Sequence, residues 1–149
     1  MPDPGGLAPR IFSDAELRHL LSREIQRCTR YQDFLSVCLV RAVYRGAPLP
    51  EVEAAIARRI AEMLRSTDIV GAIGPETAVL LVHTPETDAV MIAGRMRGRI
   101  EREVRAGSPP GDRVALAVGL ASFPTDATSD AGLLAHAQVQ LEAARRAPG

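Results

Sequence analysis

The chain has no lysine, so all 18 of its basic residues are arginine, and 18 aspartate and glutamate residues balance them. Because the formal net charge at pH 7 is zero, no overall field attracts nucleic acid or an anionic membrane. Aromatic residues make up only 3% of the chain, and none interleaves the arginines of residues 94–99. That segment is therefore interpreted as a helix with an exposed arginine face rather than as an RNA-binding loop.

Cysteine and histidine are also scarce. Cys28 and Cys38 are too few and too close for a disulfide framework, and no Cys/His spacing resembles a metal site. His19, His83 and His136 are scattered, which favours ordinary imidazoles over metal ligands. No segment approaches membrane-spanning length, and the N-terminus lacks the basic and apolar stretches of a signal peptide. We therefore expect a cytoplasmic protein with no cofactor, no metal, no nucleic-acid partner and no membrane partner.

What remains is enough for one folded domain, since 46% of the 149 residues are apolar and 24% are charged. Residues 1–12, rich in proline and glycine, are predicted to be a flexible N-terminal segment, and residues 13–149 are predicted to form the domain. Ser13 and Glu16 form a capping-box pattern that opens a helix ending near Arg30. Residues 34–43 are a nearly unbroken apolar run, typical of a strand covered on both faces.

The rest of the chain alternates between helical and strand patterns. A helix follows Pro50, two strands at residues 69–73 and 77–83 flank a turn, and a third helix runs from Thr84 to a stop at 107–111. Residues 113–122 are a further strand, and residues 130–146 are the last helix. This order predicts an α+β fold: a central mixed, mostly antiparallel sheet with a βαββαβ ferredoxin-like core and flanking helices, placed on one side. A Rossmann unit is disfavoured, because no glycine-rich strand–helix turn is present.

Several strings, taken in order, carry a resemblance to a known family. They are residues 30–40, residues 65–68 with the hairpin and strand that follow to 82, the stretch Val118-Gly119-Leu120-Ala121-Ser122-Phe123-Pro124, and residues 133–137 and 141–145. In order and spacing they resemble the GGDEF family, bacterial diguanylate cyclases that join two GTP molecules into cyclic di-GMP. The resemblance covers nearly the whole chain and implies a GGDEF, nucleotidyl-cyclase-like fold.

The departures from the family pattern fall where the resemblance implies catalysis. Arg41 stands where a metal-binding aspartate is implied, and a guanidinium there would repel the divalent cation that phosphoryl transfer needs. Val43 supplies no carboxylate either, and the loop implied to recognise guanine is shortened to residues 44–50. The signature turn is one residue short, and its proline lacks an N–H donor; it consists of Gly74, Pro75, Glu76 and Thr77. Glu76, without a partner carboxylate, is interpreted as a solvated turn residue. We therefore predict a degenerate domain, a pseudo-enzyme without catalytic residues.

A second site of the family is implied to remain. The resemblance implies a product-inhibition site, an Arg-x-x-Asp motif five residues before the signature turn, with another arginine on the following helix. Arg65 and Asp68 reproduce this spacing, and Arg95 falls in register. An arginine fork can donate to guanine O6 and N7, a carboxylate can accept from guanine N–H groups, and an arginine can pair with a phosphodiester. The predicted ligand is cyclic di-GMP, which the resemblance implies binds as an intercalated pair bridging two domains.

The predicted function is thus a cyclic di-GMP receptor that signals by ligand-dependent dimerisation or through a protein partner. Alternatives stay open, because the motif also occurs at Arg30 and Asp33, and Arg97 and Arg99 lie near Arg95. A surface ion pair between Arg65 and Asp68 would be worth under about 1 kcal/mol. In that case the domain would be a ligand-free protein-interaction module. Residual cyclase activity would require both Arg41 and the lost residue of the signature turn to be irrelevant to metal binding.

Overall fold

The structure, a computed structural model, describes residues 10–107 and 114–146, which form five strands and four helices. The strands are β1 (Ile11–Phe12), β2 (Leu35–Tyr44), β3 (Ile69–Ile73), β4 (Glu76–Val82) and β5 (Val114–Phe123). The helices are α1 (Asp14–Tyr31), α2 (Pro50–Met63), α3 (Glu86–Gly107) and α4 (Asp130–Arg146). The predicted stop of α3 after residue 107 and most of the predicted flexible segment lie outside the described residues.

All five strands belong to one sheet, in the order β1-β3-β4-β2-β5. The pairs β3–β4, β4–β2 and β2–β5 are antiparallel, whereas β1 lies parallel to β3. The sheet is therefore mixed and mostly antiparallel, and β2-α2-β3-β4-α3-β5 is the predicted βαββαβ core. The predicted α+β class is confirmed.

The helices lie on both faces of the sheet, so the prediction that they lie on one side was wrong. α1 and α4 pack on one face, where Leu39 belongs to their core, and α2 and α3 pack on the other face, where Val40 belongs to a second core. Side chains alternate between faces along a strand. Since β2 is buried at every position from 35 to 40 and Ser36 is the one polar residue among them, both faces need a cover. No helix in the described ranges is long and apolar enough to cross a bilayer.

The N-terminal edge of the sheet differs from the prediction. Ile11 and Phe12 were assigned to the flexible segment, but they form β1 and pair with Val70 and Gly71 of β3. The predicted capping box follows at once, with Ser13 accepting from the backbone of residue 16 and the Glu16 carboxylate accepting from the backbone of Ser13. Two apolar residues directly before a capped helix N-terminus are thus enough to add a short edge strand to the sheet.

Candidate functional site

An open groove of ≈ 660 Å³ lies between α3 and the connection from α2 to β3. Its volume is within the range of about 300–1,000 Å³ that is common for small-molecule sites. Its polar lining consists of Arg65, Asp68, Arg95, Arg99 and Arg102. The remaining lining is apolar or lacks a side chain: Met63, Leu64, Ile92, Gly94, Met96 and Gly98. We call this site the arginine groove. The three residues predicted to form a ligand site, Arg65, Asp68 and Arg95, all line it.

Arg65 is held by its neighbours through the Nε and Nη2 atoms of its guanidinium. Its Nε donates to Asp68 Oδ2 at 3.2 Å and its Nη2 to Asp68 Oδ1 at 3.1 Å. The same Nη2 also donates to the carbonyl of Val82 at 2.9 Å and to Thr84 Oγ1 at 3.0 Å. The hydrogen bond to Asp68 raises the pKa of Arg65 above its usual value. Its side chain is nevertheless 54% exposed, and Nη1 is the guanidinium nitrogen that donates to no residue in the described ranges.

Asp68 does not have the free carboxylate that was predicted to accept from guanine. Its side chain is only 3% exposed, and it accepts bonds from the Arg65 backbone and side chain and from the Val82 backbone at 3.2 Å. These donors occupy the acceptor sites of a carboxylate. The predicted direct contact with guanine is therefore corrected: Asp68 fixes Arg65 against the end of β4. The reason is position, because Asp68 directly precedes β3 beside the last residue of β4.

The cations on α3 are arranged on one side of the helix. Arg95, Arg99 and Arg102 follow one another at helical spacing and all line the groove, whereas Arg97 does not. Arg99 Nε donates to Glu103 at 3.1 Å. Arg95 and Arg102 form no ion pair with any residue in the described ranges. Only Arg95 was predicted as a site residue; the i, i+4, i+7 spacing was the signal that could have found the other two.

The signature turn is shorter than predicted. Its turn residues are Gly74 and Pro75, and Ile73 pairs directly with Glu76 across the hairpin. Gly74 has a φ of 57°, the positive value that a glycine at the first central position of a type II′ turn supplies. Glu76 and Thr77 consequently belong to β4 rather than to the turn.

Glu76 is not solvated, as had been expected, but only 6% exposed. Gln138 Nε2 donates to its Oε1 at 2.7 Å, and Arg41 Nη1 lies 3.4 Å from its Oε2. The sheet register explains the correction. Val40 pairs with Thr77, so Arg41 and Glu76, the next residues outward on β2 and β4, lie opposite each other.

The divalent cation that the fold family implies does not fit the residues present. A cation site needs several oxygen ligands, but here Arg41 adds a positive charge and both oxygens of Glu76 already accept from side chains. Within residues 10–107 and 114–146, no group of three or more His, Cys, Asp or Glu could hold a metal. The guanidinium of Arg41 lies beside the Glu76 carboxylate. It thus takes the position in which a metal ion would neutralise that carboxylate.

The space around the turn is also occupied. Asp14 on α1 accepts from the backbone N–H of Gly74 at 2.7 Å. The hydrogen bond from Arg18 and, to a lesser extent, that from Gly74 lower the pKa of Asp14 below its usual value, so this acceptor stays ionised to a lower pH than a free aspartate. The cavity beside Arg41, Pro75 and Thr77 has a volume of only ≈ 20 Å³, which is room for about one water molecule.

Removing the guanidinium of Arg41 should leave the buried Glu76 carboxylate with Gln138 as its partner. We expect Arg41→Ala to lower the free energy of unfolding by about 1–3 kcal/mol, because Arg41 is itself partly exposed. The double variant Arg41→Ala/Glu76→Gln should recover part of this loss, since it removes the unpaired charge as well. Urea unfolding of the wild type, both single variants and the double variant measures the coupling.

Arg45→Ala, a change at an exposed arginine that follows β2, is the matched control and should be near neutral. If the effects of the two single substitutions simply add in the double variant, the pair carries no coupling energy. A rise in melting temperature on adding MgCl₂ would contradict the conclusion that the site does not fit a cation.

Comparison with known proteins gives no match by sequence, since no family model and no curated protein matches the chain. Solved structures do match. The GGDEF domain of YfiN (TpbB) from Pseudomonas aeruginosa is 23% identical over 93% of this chain and 92% of that one, with a TM-score of 0.69. The active GGEEF domain of a diguanylate cyclase from Vibrio cholerae is 17% identical, covers 92% of both chains and has a TM-score of 0.79.

A third structure describes an interaction between a microbial GGDEF domain and cyclic di-GMP. It is 15% identical over 96% of this chain and 91% of that one, with a TM-score of 0.70. At such identities the likeness concerns the fold, and function depends on the individual side chains. The chain has a GGDEF-like fold, as the sequence resemblance implied.

Proposed function

We propose that this chain is a catalytically inactive GGDEF-like domain that binds cyclic di-GMP in the arginine groove and signals by ligand-dependent dimerisation or through a protein partner. The observation that carries the proposal is a contrast within the fold. The arginine groove is open and cationic, with a volume of ≈ 660 Å³. The cavity at the signature turn has a volume of only ≈ 20 Å³.

The chemistry of the groove supports a guanine-containing phosphodiester as the ligand. Asp68 holds the guanidinium of Arg65 in one orientation, so less side-chain entropy is lost when a ligand binds its remaining Nη1 group. The N–H groups of Nη1 can donate to the O6 or N7 acceptor of guanine. Arg95 is exposed on the facing helix and supplies charge for a phosphodiester or a guanidinium plane for stacking.

Loss of cyclase activity is supported by the same side chains that occupy the turn. One of the similar structures is an active cyclase, so the fold alone is compatible with catalysis. Here the Gly74 amide is bonded to Asp14, and the Glu76 carboxylate is bonded to Arg41 and Gln138. A triphosphate with its metal ions would have to displace all of these contacts and create space as well.

Calorimetric titration and thermal denaturation with cyclic di-GMP, GTP plus Mg²⁺, and buffer test the proposal. A ligand at a hundred times its Kd stabilises a protein by about 2.7 kcal/mol, which at this chain length corresponds to a rise of about 5–10 °C in Tm. We expect that rise for cyclic di-GMP alone, and no cyclic di-GMP formed from GTP. Absence of heat at tens of micromolar cyclic di-GMP would refute the receptor, and product formed from GTP would refute the loss of activity.

A second candidate is a ligand-free interaction module, which two observations favour. The Asp68 carboxylate is already saturated by internal donors, and Val90 and Met91 on α3 are 55% and 62% exposed. In this case the surface of α3 would dock a protein without any nucleotide. Stable association that cyclic di-GMP neither strengthens nor weakens, together with an unchanged Tm, would support this candidate over the receptor.

A further inference from the structure

Two glycines in the middle of α3 have no explanation in the packing of the domain. Gly94 and Gly98 are one helical turn apart, and glycine is among the poorest helix formers. A Cβ atom built at either position meets no atom within 4 Å, and neither residue has a left-handed φ. Neither crowding nor backbone conformation within the described ranges therefore excludes an alanine. Both glycines line the arginine groove.

We propose that Gly94 and Gly98 form the floor of the arginine groove, on which a purine ring of the ligand lies flat against the α3 backbone. This inference rests on the proposed function and adds the determinant that admits a planar base. Because glycine has no Cβ atom, a ring can approach the helix backbone more closely at Gly94 and Gly98 than it could at any other residue type. Arg95 and Arg102 lie beside the floor, within reach of the phosphodiester that links the bases.

The composition of the lining favours a planar anion as the occupant over a second copy of this helix. A small-residue helix face can also pack against another helix, but four arginines line the groove, so apposing two such faces would bring like charges together. A purine phosphodiester combines a flat apolar face with negative charge. The half-buried Ile92 lines the groove and offers an apolar contact to the flat face of the purine. The guanidinium groups attract the negative charge of the phosphodiester.

Adding single methyl groups to the floor tests the inference. We expect Gly94→Ala and Gly98→Ala each to weaken cyclic di-GMP binding by about 10-fold or more, as an extra methyl group does in a fitted pocket. Each should also raise Tm by about 2–4 °C, because alanine is the better helix former. Loss of affinity with gain of stability cannot come from misfolding. Gly46→Ala is the matched control, since a Cβ there also meets no atom within 4 Å and residue 46 lies outside the groove.

The outcomes separate this inference from the proposed function. If the wild type binds cyclic di-GMP and both alanine variants bind it equally well, the inference about the glycine floor is refuted, whereas the proposed receptor function is retained. If the wild type does not bind at all, both proposals are refuted together. An equal loss of affinity in the Gly46→Ala control would also refute the inference about the glycine floor, because the effect would then be unrelated to the groove.

Discussion

Arg95→Ala should weaken binding of cyclic di-GMP by about 10–100-fold, the loss expected when a hydrogen bond to a charged group worth about 1.5–3 kcal/mol is removed. The free energy of unfolding should stay within about 0.5 kcal/mol of the wild-type value. Arg95 is exposed and makes no ion pair within the described ranges, so its removal costs the fold little. Calorimetric titration and urea unfolding of the same preparations measure both quantities.

Arg97→Ala is the matched control, since Arg97 is exposed on the same helix but does not line the groove. It should leave both affinity and stability unchanged. Arg65→Ala should lose affinity as well, but also stability, because it removes the side-chain donors of the buried Asp68 carboxylate. Equal affinities for Arg95→Ala, Arg97→Ala and the wild type would show that α3 contributes no specific contact.

Gly119→Ala should destabilise the fold more than any surface substitution, by about 3 kcal/mol or more, a large part of the 5–15 kcal/mol typical of a domain. A Cβ atom at Gly119 of β5 would lie 2.1 Å from the carbonyl oxygen of Ala137 and 2.5 Å from the backbone nitrogen of Leu141. Both are backbone atoms of α4, so no side-chain rotation relieves the clash. The helix would have to move away from the sheet.

Urea unfolding followed by circular dichroism measures this loss, with Gly46→Ala as a control that adds the same methyl group in open space. Retention of wild-type stability in Gly119→Ala would mean that α4 and β5 separate easily. The prediction also gives a physical reason for the glycine in the string 118–124, which carried part of the family resemblance. The position requires hydrogen because the sheet and α4 are in backbone contact there.

Much of the architecture could be predicted because its determinants are local. The capping box at Ser13, the apolar run of β2 and the periodicities of the four helices depend on neighbours in the chain, and the structure has these elements where they were predicted. The prediction that the helices lie on one side of the sheet was wrong, although the apolar sequence of β2 already indicated a strand covered on both faces. A strand buried at consecutive positions requires cover on both faces, and this strand is buried at residues 35–40.

The candidate site was predictable as a location but not as a set of contacts. Arg65, Asp68 and Arg95 were predicted to line one site from spacing and resemblance, and they do line one groove. Whether a carboxylate accepts from a ligand or from its own chain depends on donors distant in sequence. For Asp68 that donor is the amide of Val82, and for Glu76 the partners are Arg41 and Gln138.

The amino-acid order alone therefore determined the succession of helices and strands, the GGDEF-like fold and the replacement of an implied metal ligand by Arg41, since these depend on residue type and short spacing. Only the tertiary structure decided which face each helix covers, how little space remains at the signature turn and which polar atoms of Asp68 and Glu76 are already bonded. These features depend on strand register and on contacts between residues far apart in the chain, where no local pattern specifies the partner.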